Sequence, residues 1–182
     1  HKCACTTIRE AQKEYYKDIE VLEYPLNDNI KWTVLRDPYD RFISGLTYDL
    51  LFNNYKDIQY TVEKLIEKDN LLDNVYEYVN KFYRKISKLS HIIPQSTYIF
   101  QQPIDFYVDI NDVDLFLKHN YYKNNLTREN VGNKEVYKLV EEVVDNYKQR
   151  VIDIYSMDYY IIDRLKSNNM FWQWSNGNVI NE

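Results

Sequence analysis

Glycine is scarce in this chain: three residues in 182, Gly45, Gly132 and Gly177, far apart from one another. A glycine-rich dinucleotide fingerprint or a Walker A loop needs two or three glycines in one short window, so both are excluded. Cysteine is limited to Cys3 and Cys5. Residues at i and i+2 are badly placed for an ordinary disulfide, which excludes a disulfide framework and fits a reducing compartment. No uncharged apolar run approaches the ~18 residues of a membrane span, and no signal-peptide pattern opens the chain. The first residue is not Met, so a processed or trimmed start is expected. Nor is there an excess of positive charge: Lys and Arg number 23 against 28 Asp and Glu, a net charge of -5. A general nucleic-acid binder would carry a basic footprint, so nucleic acid is not an expected partner. Any anionic ligand must be held by a local cluster or by backbone dipoles.

What is present is ordinary globular composition, 45% hydrophobic and 28% charged, over a length suited to one domain with a real core. Short strand patterns alternate with helical ones. Thr7 and Glu10 form a capping box, which predicts a helix to about residue 17. Strands are predicted over 19–24 and 30–35. Asp37 is then an N-cap and Pro38 a first helical residue, opening a helix to about residue 52. Helices are expected over 58–68 and 71–89, the second with Leu72, Val75, Val79, Phe82, Ile86 and Leu89 as one apolar stripe. Pro94 and Pro103 bracket a short extended piece, 98–100. A strand over 106–110, a short helix over 112–119 and a polar loop follow. A long helix over 134–155 turns Val136, Val140, Val143, Tyr147 and Val151 inward, and the remaining tail is less regular. This alternation argues for an α/β fold with a mostly parallel sheet.

Two segments carry chemistry. His1-Lys2-Cys3-Ala4-Cys5-Thr6-Thr7-Ile8 sets a Lys and two hydroxyls at a helix N-terminus, where free N–H groups and the helix dipole favour phosphate or sulfate. A capped helix with a solvated Lys explains the same residues. In Arg36-Asp37-Pro38-Tyr39-Asp40-Arg41-Phe42-Ile43-Ser44, Arg36 ends a strand and Ser44 lies two turns along the following helix. The carboxyl end of a strand is where open α/β sheets bind ligands, and a guanidinium suits a bidentate phosphate contact. An Arg paired with Asp37 or Asp40 is the plainer explanation.

These residues resemble the sulfotransferases that use 3′-phosphoadenosine 5′-phosphosulfate (PAPS), of the carbohydrate-sulfotransferase type. In that family a Pro-Lys-x-x-[Ser/Gly]-[Thr/Ser] loop grips the 5′-phosphosulfate, and Arg-Asp-Pro-x-x-Arg-x-x-Ser grips the 3′-phosphate. Lys2 to Thr7 is similar to the first, and Arg36 to Ser44 matches the second in full. His91-Ile92-Ile93-Pro94-Gln95 resembles a His-x-x-Pro-Gln segment, and Tyr155 to Tyr160 a closing Tyr-x-x-Asp-Tyr segment. The resemblance spans residues 1 to about 160. It departs where His1 replaces the Pro and Cys5 the Ser or Gly. The family also has a strand leading into the first loop, so one is expected upstream of His1.

The resemblance implies a single sulfotransferase domain over 1–182, with a three-layer fold like that of P-loop NTPases, a central mostly parallel sheet and many helices. It implies transfer of a sulfuryl group to an acceptor hydroxyl, with 3′-phosphoadenosine 5′-phosphate (PAP) as product. Lys2 would bind the 5′-phosphosulfate and stabilise charge on the bridging oxygen. Cys3, Ala4, Cys5, Thr6 and Thr7 would line the same loop, and Arg36 with Ser44 would hold the 3′-phosphate. Lys and the helix end supply positive charge, so no metal is required. Of the three histidines, His91 lies on a loop and is the expected base, unless it only orients that loop; His119 reads as a helix-end charge complement.

Lys81, Arg84, Lys85 and Lys88 share one helix face, either solvated or suited to an anionic sugar acceptor. Phe171, Trp172 and Trp174 either stack on a sugar or pack on the sheet edge. The expected partner is a carbohydrate or a small hydroxyl compound. A bacterial or viral form would be cytoplasmic and an excised eukaryotic domain would come from the Golgi lumen. Three other functions remain open. A P-loop kinase lacks its Gly-x-x-x-x-Gly-Lys-[Ser/Thr] loop. A metal module on His1, Cys3 and Cys5 lacks a nearby fourth ligand. A non-catalytic carbohydrate-binding relic would not need intact Lys2, Arg36 and Ser44.

Overall fold

A computed structural model describes residues 31–52, 56–67, 90–99, 103–120 and 133–173. In chain order these form β1 (Trp32–Leu35), α1 (Pro38–Phe52), α2 (Ile58–Ile66), a 3₁₀ turn (Ser90–Ile92), α3 (Ser96–Ile99), β2 (Phe106–Asp109), α4 (Val113–Asn120), α5 (Lys134–Asp145), α6 (Lys148–Ile154) and α7 (Ser156–Ser167). The chain is a mixed α/β protein, mostly helical, with a two-stranded parallel sheet among the described residues. Its contacts divide it into two units.

Of the described residues, the first unit takes in 37–52, 56–67, 90–98 and 133–159. Asp37 caps α1: its Oδ1 accepts the Asp40 N–H at 3.0 Å, and Pro38 needs no partner at the first helical position. α1 buries Phe42, Ile43, Leu46 and Leu50 against Val62 and Ile66 of α2 and Val140, Val143 and Val144 of α5. Each such side chain contributes about 1.5–3 kcal/mol on burial. Asp57 and Asn133 cap α2 and α5 through their side-chain oxygens.

The helix expected over 134–155 is broken. At Asn146 and Tyr147 the backbone closes on Val143 and Val144, three residues back, and Asn146 Nδ2 donates to the Glu142 carbonyl. That tightened turn separates α5 from α6 while Val140, Val143 and Val151 all stay buried.

Of the described residues, the second unit takes in 31–36, 99, 103–120 and 160–173. β1 and β2 pair in parallel from Trp32↔Phe106 to Leu35↔Asp109. Side chains alternate across the pair. Val34 and Val108 face Val113, Phe116, Leu117 and Trp172. Leu35 and Tyr107 pack with Ile99 and Ile161. Phe116 meets the rings of Trp32, Phe106 and Trp172 edge-on, at 4.6, 5.7 and 5.2 Å between centroids. Phe171 bridges the edge of β2 away from β1, where Tyr107 N–H donates to Met170 O and Trp172 N–H to Tyr107 O.

Two other expectations are corrected. Residues 98–99, expected to be extended, lie in the helical turn α3. The stretch after residue 155, expected to be less regular, forms α7 as far as Ser167. Asn169, at φ 55, then turns the chain toward Met170. The helix predicted to about residue 17, the strand over 19–24 and the helix over 71–89 lie outside the described residues.

Candidate functional site

Arg36, Ser44 and His91 are among the described residues. Lys2, Cys3, Ala4, Cys5, Thr6, Thr7, Lys81, Arg84, Lys85 and Lys88 lie outside them, as do His1 and Trp174. Arg36 is half-buried and directly follows β1, at the carboxyl end of a parallel pair. Ser44 is half-buried on α1, two turns from its start. His119 falls in the last turn of α4. Trp172 is buried against Phe116 and Phe171 packs on Tyr107, so both fill the sheet edge.

The first unit holds a polar constellation along α1. Arg41, Gly45 and Asp49 recur every four residues, which puts them on one side of the helix. Arg41 is 2% exposed, and its Nε has no hydrogen-bond partner among the described residues. A buried guanidinium is costly unless paired.

Asp49 is buried as well, and its carboxylate takes hold of His91 twice. Oδ1 lies 2.5 Å from the imidazole Nδ1, and Oδ2 accepts the His91 backbone N–H at 3.2 Å. Gly45 makes this approach possible, since a Cβ there would lie 2.5 Å from the His91 carbonyl oxygen. The Tyr48 ring stands edge-on to the imidazole at 4.5 Å and stacks on Phe52 at 6.0 Å.

The His-x-x-Pro-Gln and Tyr-x-x-Asp-Tyr segments interlock in the same unit. Tyr155 hydroxyl donates to the Ile92 carbonyl. Asp158, 1% exposed, accepts the N–H groups of Gln95 and Ser96 at 2.7 and 2.8 Å. Ile92 and Ile93 sink into the aliphatic core between these contacts. His91 is therefore held from both sides of its turn: by Asp49 at the ring and backbone, and by Tyr155 and Asp158 just downstream. A half-buried imidazole paired to a carboxylate can accept a proton.

Asp49 and Arg41 have no assigned role in the sequence reading. A charge at Asp49, beside Leu50 and one turn from Leu46, interrupts the apolar face of α1 and was the available signal. Among the described residues no group of three His, Cys, Asp or Glu side chains is arranged to hold a metal ion, and no helix is long and apolar enough to cross a membrane. Comparison with protein families, with curated proteins and with solved structures finds no match to this chain.

Proposed function

We propose that the chain is a PAPS-dependent sulfotransferase acting on a hydroxyl of a carbohydrate or of a small hydroxyl compound. One observation carries the reading. The segment Arg36 to Ser44, a full match to the family's 3′-phosphate motif, occupies a turn from a parallel strand into a helix, and its Arg41 is buried with an unpartnered Nε. An anionic ligand suits such a guanidinium. In this reading the parallel pair belongs to the larger sheet of a three-layer P-loop-type fold, and residues 2–7 form the 5′-phosphosulfate loop.

The chemistry asked of the protein is mainly positioning and charge stabilisation. Arg36 and Ser44 bind the 3′-phosphate and so select PAPS over ATP. Lys2 neutralises charge on the bridging oxygen while the acceptor oxygen bonds to sulfur and the sulfur–oxygen bond to PAP breaks. PAP leaves with that electron pair. His91 takes the acceptor's proton and returns it to solvent. Exposed Phe52, stacked on the Tyr48 ring that meets His91, offers a ring face for an acceptor sugar.

The test is a binding titration comparing PAP with AMP. PAP should bind more tightly, and Arg36→Ala should reduce the preference about tenfold or more, since a charged hydrogen bond contributes about 1.5–3 kcal/mol. Equal affinity in the unmutated chain overturns the assignment. Lys2→Ala should lower turnover far more than donor binding.

A further inference from the structure

The geometry points to Asp49 as the residue that fixes the His91 imidazole in its Nδ1–H tautomer, so that Nε2 is the atom that receives the acceptor's proton. The catalytic half of this inference rests on the sulfotransferase reading; the tautomer does not.

An ionised carboxylate can only accept hydrogen bonds. With Asp49 Oδ1 at 2.5 Å from Nδ1, the ring proton of neutral His91 belongs on Nδ1 and the lone pair on Nε2. Free histidine prefers the opposite tautomer, so the protein reverses an intrinsic preference. The second oxygen removes the remaining slack. Oδ2 accepts the His91 N–H at 3.2 Å, so one carboxylate fixes both the main chain and the ring of the same residue. Asp49 is 3% exposed whereas the His91 side chain is 20% exposed, so the carboxylate is withdrawn from water while the imidazole keeps some access to it.

The arrangement is set by α1. Gly45 lets the His91 carbonyl come against the helix, and Asp49 is one turn further along the same side. A contact serving only to anchor the loop would need the backbone bond alone. The ring bond adds control of which nitrogen holds the proton, and it places a negative charge beside the imidazolium formed during transfer. In that step the acceptor oxygen bonds to sulfur, the sulfur–oxygen bond to PAP breaks, and the hydroxyl proton moves to Nε2. Asp49, buried with its carboxylate on His91, acts through that ring as a positioning residue.

Asp49→Asn separates the two roles. The amide oxygen can keep the backbone N–H of His91, which turns the amide NH₂ toward Nδ1. The ring must then accept at Nδ1 and carry its proton on Nε2. The wrong atom is protonated in an almost unchanged shape.

The experiment is ¹⁵N NMR of histidine-labelled full chain at a pH where the imidazole is neutral, with His91 assigned by its loss in His91→Gln. The unmutated chain should show a protonated Nδ1 and an unprotonated Nε2, and Asp49→Asn should reverse them. Because the unmutated chain is measured first, failure of the variant to fold leaves the test intact. An Nε2–H tautomer in the unmutated chain overturns the inference. The kinetic arm follows PAP release from PAPS with water as acceptor. Asp49→Asn should lower kcat about a hundredfold or more with KM for PAPS unchanged. An unchanged kcat with a reversed tautomer overturns the catalytic role. A chain that binds PAP no better than AMP instead refutes the sulfotransferase reading, a different result from a wrong tautomer.

Discussion

The two units differ in what they bury. Among the described residues, every buried polar or charged side chain belongs to the first unit: Arg41, Thr47, Asp49, Gln95, Ser96 and Asp158. The described core of the second unit is built of aliphatic and aromatic residues, with Val34, Val108, Phe116 and Trp172 on one side of the strand pair and Leu35, Tyr107 and Ile161 on the other. Apolar burial is non-directional and favours any dense packing. Buried polar groups impose geometry, because each must meet a particular partner or cost stability. Asp49 and Asp158 are spent on holding one short stretch, His91 to Ser96, in one conformation. The second unit supplies packing around a strand pair; the first supplies directional bonds around a titratable ring.

The largest stability effect should come from the apolar unit. Phe116→Ala removes the ring on which Trp32, Phe106 and Trp172 all lean, and a truncation of that size costs about 3–5 kcal/mol. Urea denaturation followed by tryptophan fluorescence should show it. Asp158→Ala should come next. It strips the buried N–H groups of Gln95 and Ser96 of their acceptor, at about 1–3 kcal/mol for each group left unsatisfied. Hydrogen exchange should accelerate at those two amides before any global change. Asp158→Asn should recover at most part of the loss, because its NH₂ faces one of the two donors. Retention of full protection in Asp158→Ala would show that the polar contacts do not hold this stretch and would erase the contrast between the units.

Much of this was legible in the chain. Trp-Thr-Val-Leu and Phe-Tyr-Val-Asp are β-branched and aromatic runs, and Asp37-Pro38 marks the start of α1, so β1, β2 and α1 fall close to where they were expected. What was missed has identifiable causes. The break between α5 and α6 is invisible to periodicity, because Val143, Tyr147 and Val151 keep their phase across the tightened turn. The prolines bracketing residues 98–100 favour an extended piece, whereas α3 has its N-terminus capped by Asp158 from far along the chain. α7 begins with Met157, Tyr159 and Tyr160, and its pairs of aromatic and β-branched residues are middling helix formers, so burial of Ile161 and Asp158 decides it rather than propensity. For the site, the segments around Arg36, His91 and Tyr155 were found as patterns. The carboxylate serving His91 was not, since a lone Asp within a helix announces nothing until the turn packed on it is known.

Gly45→Ala sets helix propensity against packing at one position. Alanine in a helix interior is favoured over glycine by about 1 kcal/mol. The new Cβ would lie 2.5 Å from a main-chain oxygen of His91, and backbone on both sides leaves little room to yield. Overpacking of that kind costs about 1–3 kcal/mol, so a net loss of up to about 2 kcal/mol is expected. The His91 ring signals should move in the same NMR spectra. A stabilised variant would mean that the approach of this turn to α1 relaxes cheaply, and the directional character assigned to the first unit would weaken.

The smallest effect expected is at Tyr39, and it tests whether the polar contacts of the first unit carry a pH signature. The Tyr39 hydroxyl donates to Asp145 at 2.5 Å. Burial, then that bond, then the charges of Asp145, Glu141 and Asp40 push the phenol's pKa well above its ordinary value, with the Lys148 ammonium 4.9 Å over the ring as the facing cation. A pKa raised by folding means that the folded state keeps a proton the unfolded chain releases more readily. The associated stability is fully present below the ordinary tyrosine pKa of about 10 and is lost as pH rises through the folded value. Tyr107 and Tyr159 are raised too, chiefly by burial, and push stability the same way. Tyr39→Phe should therefore cost about 1 kcal/mol at neutral pH, the net value of one hydrogen bond. It should also make the decline in urea midpoint between pH 9 and pH 11 shallower than in the unmutated chain. An equally steep decline would assign the alkaline sensitivity to the other tyrosines and leave the Tyr39–Asp145 bond a contact without titrating consequence.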